Sequence, residues 1–312
     1  MQILSKETKF RFMACRRQAV IFSGILLLFS LGSLALRGLE FGIDFTGGTL
    51  IEVGYPKAAD LEQARAALDQ AGFSNAVVQH FGTSRDLLVR IAPRADVDKA
   101  QLSSSVLRTL NEAVGTELDM RRVEFVGPQI GEELAEQGGL AMIIALGGIL
   151  IYVSIRFQWK YALGAVGALF HDVMITIGFF SILGIEFDLT VLAAVLAVIG
   201  YSLNDTIVVF DRIRENFRKM RKGEPMQIID ASLNQTLSRT LMTSFTTLLV
   251  LIALFVFGGE LIHGFATALI IGVFVGTYSS IYVASNLAYQ LGVSKADFLT
   301  VPKEGAEADA RP

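Results

Sequence analysis

Six long apolar stretches alternate with polar segments along the chain. They cover residues 19–36, 138–155, 161–185, 189–210, 240–259 and 265–287, and the first, second and fifth contain no Asp, Glu, Lys or Arg. A helix needs about 20 mostly apolar residues to cross a hydrocarbon core of about 30 Å. The pattern therefore predicts an α-helical membrane protein with six transmembrane helices.

The first stretch also resembles a signal peptide, because a basic segment precedes it and Ser33-Leu34-Ala35 is an acceptable cleavage site. Its apolar core has 18 residues, whereas the apolar region of a signal peptide has about 7–15. We therefore interpret it as a retained transmembrane helix that follows a basic N-terminal segment, residues 1–18.

The polar segment 37–137 has the pattern of a small folded domain. Strand character covers residues 41–53, with a break at Gly47-Gly48, and helical spacing follows over 59–70. A strand pair is predicted at 75–81 and 86–91, then a helix over 97–114 capped by Asp96, and a last strand over 120–126. The order β-α-β-β-α-β predicts a ferredoxin-like α+β domain between the first two membrane helices.

Lys and Arg lie close to one set of span ends, which predicts the orientation. The N-terminal segment, the short connection with Arg156 and Lys160, and the loop 211–239 are all basic, whereas the loops 186–188 and 260–264 contain neither Lys nor Arg. Both termini, including the tail 292–312, are therefore predicted to be cytoplasmic. The α+β domain is predicted to be periplasmic.

Composition narrows the class of protein further. Charged residues make up 18% of the 312 residues, below the roughly 25% of ordinary globular chains, and the mean hydropathy is +0.52. Cys15 is the single cysteine, so neither a disulfide framework nor a CxxC metal site is expected. The sequence contains no Walker motif, nucleophile elbow or HExxH. We therefore expect no enzyme, cofactor, metal site or nucleic-acid partner.

Two ionisable residues at the same end of adjacent predicted spans form the first candidate site. An ionisable side chain inside a membrane costs a few kcal/mol and marks a functional hypothesis. Asp205 lies near the end of the fourth span, Arg239 starts the fifth, and a stripe of hydroxyls continues from the arginine at Thr236, Thr240, Thr243 and Thr247. Proton coupling through Asp205 and Arg239, a static ion pair, and an arginine that extends to lipid phosphate all remain open.

His171 and Asp172 form a second candidate site, near the middle of the third predicted span. Either a proton relay or a hydrogen bond between helices explains an ionisable pair at that depth. Asn204, Thr243 and Thr247 belong to the same group of residues that either relay protons or contact neighbouring helices.

Several motifs resemble one family. Residues 41–49 read FGIDFTGGT, and residues 126–131, 171–173, 200–212 and 238–240 match the same family in order and spacing. Together they resemble the SecD and SecF membrane proteins of bacterial protein export. Gly42, Asp44, Gly47 and Gly48 carry the family motif at the base of the outer domain. The single compact outer domain and the length resemble the SecF members.

This resemblance implies a place in the resistance-nodulation-division superfamily, as half of a twelve-span unit that SecD completes. It implies a bacterial inner-membrane protein that couples the proton-motive force to export of unfolded polypeptides through the SecYEG channel, after the ATP-driven step. YajC and YidC are implied as accessory partners. The essential aspartate and arginine of the family fall on Asp205 and Arg239.

Two other functions are considered beside this one. The chain could be a scaffold that only stabilises the export channel, with purely structural intramembrane charges. A small-molecule exporter of the same superfamily is disfavoured, because such pumps carry two large outer domains and twelve spans in one chain.

Overall fold

The chain folds into six long helices and one small sheet domain. The computed structural model describes residues 8–74, 76–93, 99–220, 223–294 and 297. Within these, the elements in chain order are α1 Arg16–Leu36, α2 Ile43–Thr46, β1 Gly48–Gly54, α3 Leu61–Gln70, β2 Val77–Phe81, β3 Thr83–Ile91, α4 Lys99–Val114, β4 Asp119–Val126, α5 Pro128–Arg156, α6 Trp159–Leu183, α7 Leu189–Lys219, α8 Pro225–Phe257, α9 His263–Ser279 and α10 Ser285–Gln290. A π-helical turn, Ser280–Ala284, joins α9 to α10.

Six of these helical units are long and apolar enough to cross a membrane: α1, α5, α6, α7, α8, and α9 continued through α10. This confirms the predicted six-helix membrane fold. Helices α7 and α8 extend beyond their apolar stretches, so much of the segment predicted as the loop 211–239 is helical. Pro225 at the start of α8 and a capping box on Glu224 explain this early helix start.

The spanning helices form an inner and an outer group. Residues of α6, α7 and α9 are the most deeply buried, whereas α1, α5 and α8 expose most of their apolar windows. Helices α7 and α9 cross closely, because a Cβ built on Gly272 would lie 2.1 Å from Val198 Cγ2. Glycine at position 272 therefore allows the two helices to approach closely.

The sheet domain has the predicted ferredoxin-like topology. Its four antiparallel strands lie in the order β2-β3-β1-β4, and α3 and α4 cover one face of the sheet. Ile51, Val53, Leu87 and Val89 from the strands pack against Leu68, Val106 and Leu110 from the helices. The periodicity of 2 in the strands and 3.6 in the helices explains why these residues share one core.

Two details of the domain differ from the sequence prediction. Residues Ile43–Thr46, predicted as strand, form a helical turn, in which Thr46 Oγ1 donates a 3.0 Å hydrogen bond to Gly42 O. The hairpin between β2 and β3 turns at Gly82 alone, whose φ of 70° favours glycine. Asn75, Asp96 and Val97, which the sequence analysis placed in a strand and a helix, lie outside the described residues.

The N-terminal residues 8–15 lie as a strap across the first turns of α8. Phe10 N donates to Asn234 Oδ1 and Asn234 Nδ2 donates to Phe10 O, each at 2.8 Å. Met13 N donates to Asp230 Oδ1 at 2.8 Å, and the Met13 side chain is almost fully buried. The strap therefore connects the start of the chain to its fifth long helix.

Candidate functional site

Asp205 lies on the buried face of α7. It is about 24 Å along the helix from Leu189, at about 1.5 Å per residue, and only 3% exposed. Arg239 and Thr243 of α8 are the groups whose charge and polarity act on its carboxylate. The structure thus brings together the aspartate and arginine that the sequence analysis singled out.

Arg239 and Asp205 nevertheless do not form a close ion pair. Among the described residues, no carboxylate oxygen lies within 4.0 Å of the Arg239 guanidinium, which is exposed. The Thr243 hydroxyl donates to the backbone oxygens of Arg239 and Thr240, at 3.1 and 2.9 Å. The arrangement is therefore open on the arginine side, whereas the Thr243 side chain lies next to the carboxylate.

Three buried oxygens at this α7–α8 contact lack a hydrogen-bond partner among the described residues. They are Asp205 Oδ2, Thr206 Oγ1 and Thr240 Oγ1. Buried polar atoms are almost always satisfied, by protein or by ordered water, and a polar site of this kind suits water. The geometry therefore supports hydration around the carboxylate. Asn204 and Thr247 of the predicted group lie at more exposed positions.

Asp172 is the centre of a different, closed cluster. It is 0% exposed, and Ser202 Oγ of α7 and Ser279 Oγ of α9 donate to its Oδ2 at 2.5 and 2.7 Å. His171 Nδ1 is 2.9 Å from Oδ1, whereas His171 Nε2 is buried without a partner among the described residues. The carboxylate thus joins the helices α6, α7 and α9. Its partner on α9, Ser279, is the residue before the π-helical turn.

The sequence pattern does not predict the two serines. Ser202 lies inside the motif 200–212, one helical turn before Asp205 on the same buried face of α7. Ser279 had no signal of its own, because the sixth span contains several hydroxyl residues. A further chain of hydroxyls was also missed: Tyr201 donates to Ser244 at 3.3 Å, and Ser244 is 2.7 Å from Thr277 Oγ1.

The motif residues of the domain base lie where the sheet domain meets the helices. Asp44 Oδ2 accepts a 3.0 Å hydrogen bond from Leu189 N, at the start of α7. Gly48 has a φ of 128°, and a Cβ there would lie 2.5 Å from Ile91 O. Glycine is therefore required at position 48 by both conformation and space.

Six spanning helices, a ferredoxin-like domain between the first two, and carboxylates buried in the inner helices define a multi-pass membrane protein. Residues 106–294 match the family model described as protein export membrane protein SecD/SecF, C-terminal. Residues 32–58 match the SecD/SecF GG motif. The chain belongs to the SecD/SecF family of protein export membrane proteins.

Relatives agree with this assignment. The protein translocase subunit SecF of Vibrio alginolyticus is 57% identical, over 100% of this chain and 99% of its own. The corresponding subunit of Pseudomonas aeruginosa is 51% identical, over 96% and 97%. The crystal structure of SecDF, a translocon-associated membrane protein from Thermus thermophilus, matches with a TM-score of 0.84 and 39% identity, over 92% of this chain. The chain spans 39% of the length of that SecDF protein.

Proposed function

We propose that this chain is a SecF-type subunit that joins a SecD protein to promote export of unfolded polypeptides. The proton-motive force drives the step, which follows the ATP-driven stage at the SecYEG channel, and no cofactor takes part. YajC and YidC are proposed as accessory partners in the bacterial inner membrane. The SecF relatives that match nearly their whole length support this role, and so does the match to part of a SecDF chain.

The open site at Asp205 carries the proposal. A permanent ion pair inside a membrane is expected to have short contacts, because an unpaired charge there is costly. Here the buried carboxylate has one oxygen without a donor, and its arginine stays beyond 4.0 Å among the described residues. Proton uptake would remove the attraction to Arg239 and change the preferred contact between α7 and α8. The site therefore suits a proton-controlled movement better than a permanent link.

One exposed face of α7 suits the SecD partner. Ala193, Ala197, Gly200 and Asn204 recur at three- and four-residue steps and are exposed. A Cβ on Gly200 would meet no neighbouring helix within 4 Å among the described residues. Small residues allow two membrane helices to approach closely. We propose that a SecD helix packs here, next to Asp205, so that the two chains form the twelve-span unit.

Asp205→Asn tests the function, because it keeps the shape of the side chain and removes the titratable charge. We expect the variant to assemble with SecD at the wild-type level and to lose the part of export that depends on the proton-motive force. Asp211→Asn is the matched control, since Asp211 lies on the same helix but is exposed. Normal force-dependent export by Asp205→Asn would refute the proposal.

The same measurement separates this proposal from the scaffold hypothesis. If the chain only stabilised the channel, export by Asp205→Asn would follow the amount of assembled complex. Export divided by complex abundance is therefore the quantity to compare.

A further inference from the structure

The sheet domain contacts a part of the membrane region that is distant from it in the sequence. The chain enters the domain from α1 and leaves it into α5, yet residues 40–42 pair with the connection between α6 and α7. Gly42 N donates to Phe187 O at 3.0 Å, and Phe187 N donates to Glu40 O at 2.7 Å. These two bonds form a short parallel bridge between Phe41 and Phe187.

Asp44 extends this contact to α7 itself. The first N–H groups of a helix have no partner within the helix, and a carboxylate there is also favoured by the helix dipole. Asp188 accepts from Val191 N at 2.7 Å, and Asp44 accepts from Leu189 N at 3.0 Å. The start of α7 is therefore capped by one residue of its own and by one from the domain base.

Arg90 connects the sheet to the same place. This β3 residue is 19% exposed at its side chain and has Glu186 at 3.6 Å and Glu40 at 3.8 Å. Its Nη1 also donates to Phe41 O at 2.6 Å. Burial raises the pKa of Glu186, and the positive charge of Arg90 opposes that rise. Arg90 thus favours the ionised form of Glu186 in this half-buried contact.

The turn α2 is also wedged against α5. A Cβ on Gly131 of α5 would lie 2.9 Å from both Gly47 N and Phe45 O, and one on Gly47 would lie 2.9 Å from Pro128 Cα. The rings of Phe41, Phe45 and Phe187 pack together beside it, with centroids about 6 Å apart. Backbone packed this closely, with hydrogen bonds on the other side, leaves little freedom for the domain to tilt alone.

We infer that residues 40–48, here called the joint, rigidly couple the sheet domain to the start of α7. The domain then moves with α7, and Asp44 and Arg90 are positioning residues that transmit the movement. This inference rests on the proposed function, because α7 is the helix that carries Asp205. It assigns a mechanical role to the glycine-rich motif at the domain base.

A disulfide across the joint tests whether it moves as one body. A Cβ on Gly42 would lie 3.2 Å from Asp188 Cβ. The Cβ atoms of a disulfide are typically about 3.8 Å apart, so a cysteine pair fits here. In a Cys15→Ser background, Gly42→Cys with Asp188→Cys should cross-link under copper-phenanthroline. Because a rigid joint does not open, export per assembled SecD complex should be equal before and after reduction.

Export blocked by the cross-link and restored by dithiothreitol would overturn the inference, and so would failure of the two cysteines to cross-link. Each single-cysteine variant measures the effect of its substitution on export without a cross-link. Wild-type export under the same conditions tests the proposed function separately from the joint. Export without any force dependence in the wild type refutes the proposed function, whereas a normal wild type with a blocked cross-link refutes only the joint.

Weakening the joint gives the complementary result. Asp44→Ala removes the acceptor for Leu189 N, whereas Asp44→Asn keeps an oxygen at the same place. We expect Asp44→Ala, combined with Arg90→Ala, to assemble with SecD and to lose force-dependent export, and Asp44→Asn alone to retain it. Equal export per complex by the wild type, the double variant and Asp44→Asn would show that the joint does not transmit movement.

Discussion

Two carboxylates lie inside the membrane part of this protein, and their surroundings differ. Asp172 accepts hydrogen bonds from two serines and lies against a histidine. Within the described part of the chain, Asp205 has an oxygen without a donor, and Arg239 lies beyond ion-pair distance. A fully bonded carboxylate favours one arrangement of its helices, whereas an open one can change with its protonation state. The two residues are therefore expected to respond differently to the same substitution.

Asp172→Asn should mainly reduce stability. The amide has one oxygen in place of two and cannot reproduce all three contacts, so buried hydrogen-bonding groups would lose partners, at about 1–3 kcal/mol in the free energy of unfolding. Thermal unfolding in detergent measures this loss, and Ser279→Ala, which removes one donor, should show a smaller one. Export per assembled complex should stay near the wild-type value. A stable Asp172→Asn complex without export would instead favour the proton relay.

Arg239 separates coupling from simple helix contact. A guanidinium stays charged even in a low dielectric, so Arg239 can attract Asp205 but cannot release a proton to it. Arg239→Met should assemble normally and stop force-dependent export, and Arg239→Lys, which keeps the charge, should retain part of it. The measurement is export per assembled complex. A loss that only follows complex abundance would make Arg239 a structural residue.

Helices α7 and α9 show clearly how small residues allow close helix packing. Gly272 faces Val198 with no room for a side chain, and Gly276 faces Ser202, where a Cβ would lie 3.0 Å from the serine Cβ. Ser202 in turn donates to Asp172. The close approach of these helices therefore also sets the geometry of the buried cluster.

Gly272→Ala should destabilise the protein, because the added methyl overlaps Val198. Overpacking of this kind costs about 1–3 kcal/mol, which thermal unfolding in detergent would detect. Adding Val198→Ala should recover part of the loss by making room. Gly32→Ala is the matched control, since a Cβ at that position on α1 would meet no other described part of the protein within 4 Å. Equal melting temperatures for Gly272→Ala and Gly32→Ala would contradict the observed contact.

The sequence predicted the elements better than their contacts. Apolar length identifies six helices, and alternating patterns identify the four strands, because both signals are local. The turn Ile43–Thr46 was mistaken for a strand, since four residues are too few to show helical periodicity. Asp205 and Arg239 were found from the energetic cost of charge in a membrane. Ser279 is 107 residues from Asp172 in sequence, and no local pattern predicts such a contact.

At the scale of the whole molecule, the two ends of the helical bundle differ. One end carries the sheet domain, and the other carries the strap and the basic end of α7, including Arg212, Arg218 and Lys219. This distribution is the basis for predicting that the basic end lies in the cytoplasm.

Cysteine labelling tests that orientation. In a Cys15→Ser background, Ser84→Cys should react in intact cells with a thiol reagent that cannot cross the inner membrane, and Lys219→Cys should react only after lysis. Both positions are exposed, and Ser84 avoids the positive φ of Gly82. Detergent-solubilised samples control for the reactivity of each thiol. The opposite labelling pattern would reverse the predicted topology.

The strap has a consequence for synthesis of the chain. Phe10 and its partner Asn234 are 224 residues apart, and translation adds about 5–20 residues per second. The N-terminal segment therefore waits at least about ten seconds after it leaves the ribosome before α8 exists to receive it. Met13, buried in the finished protein, is uncovered throughout that interval. The first described part of the chain to be made is thus among the last to reach its final place.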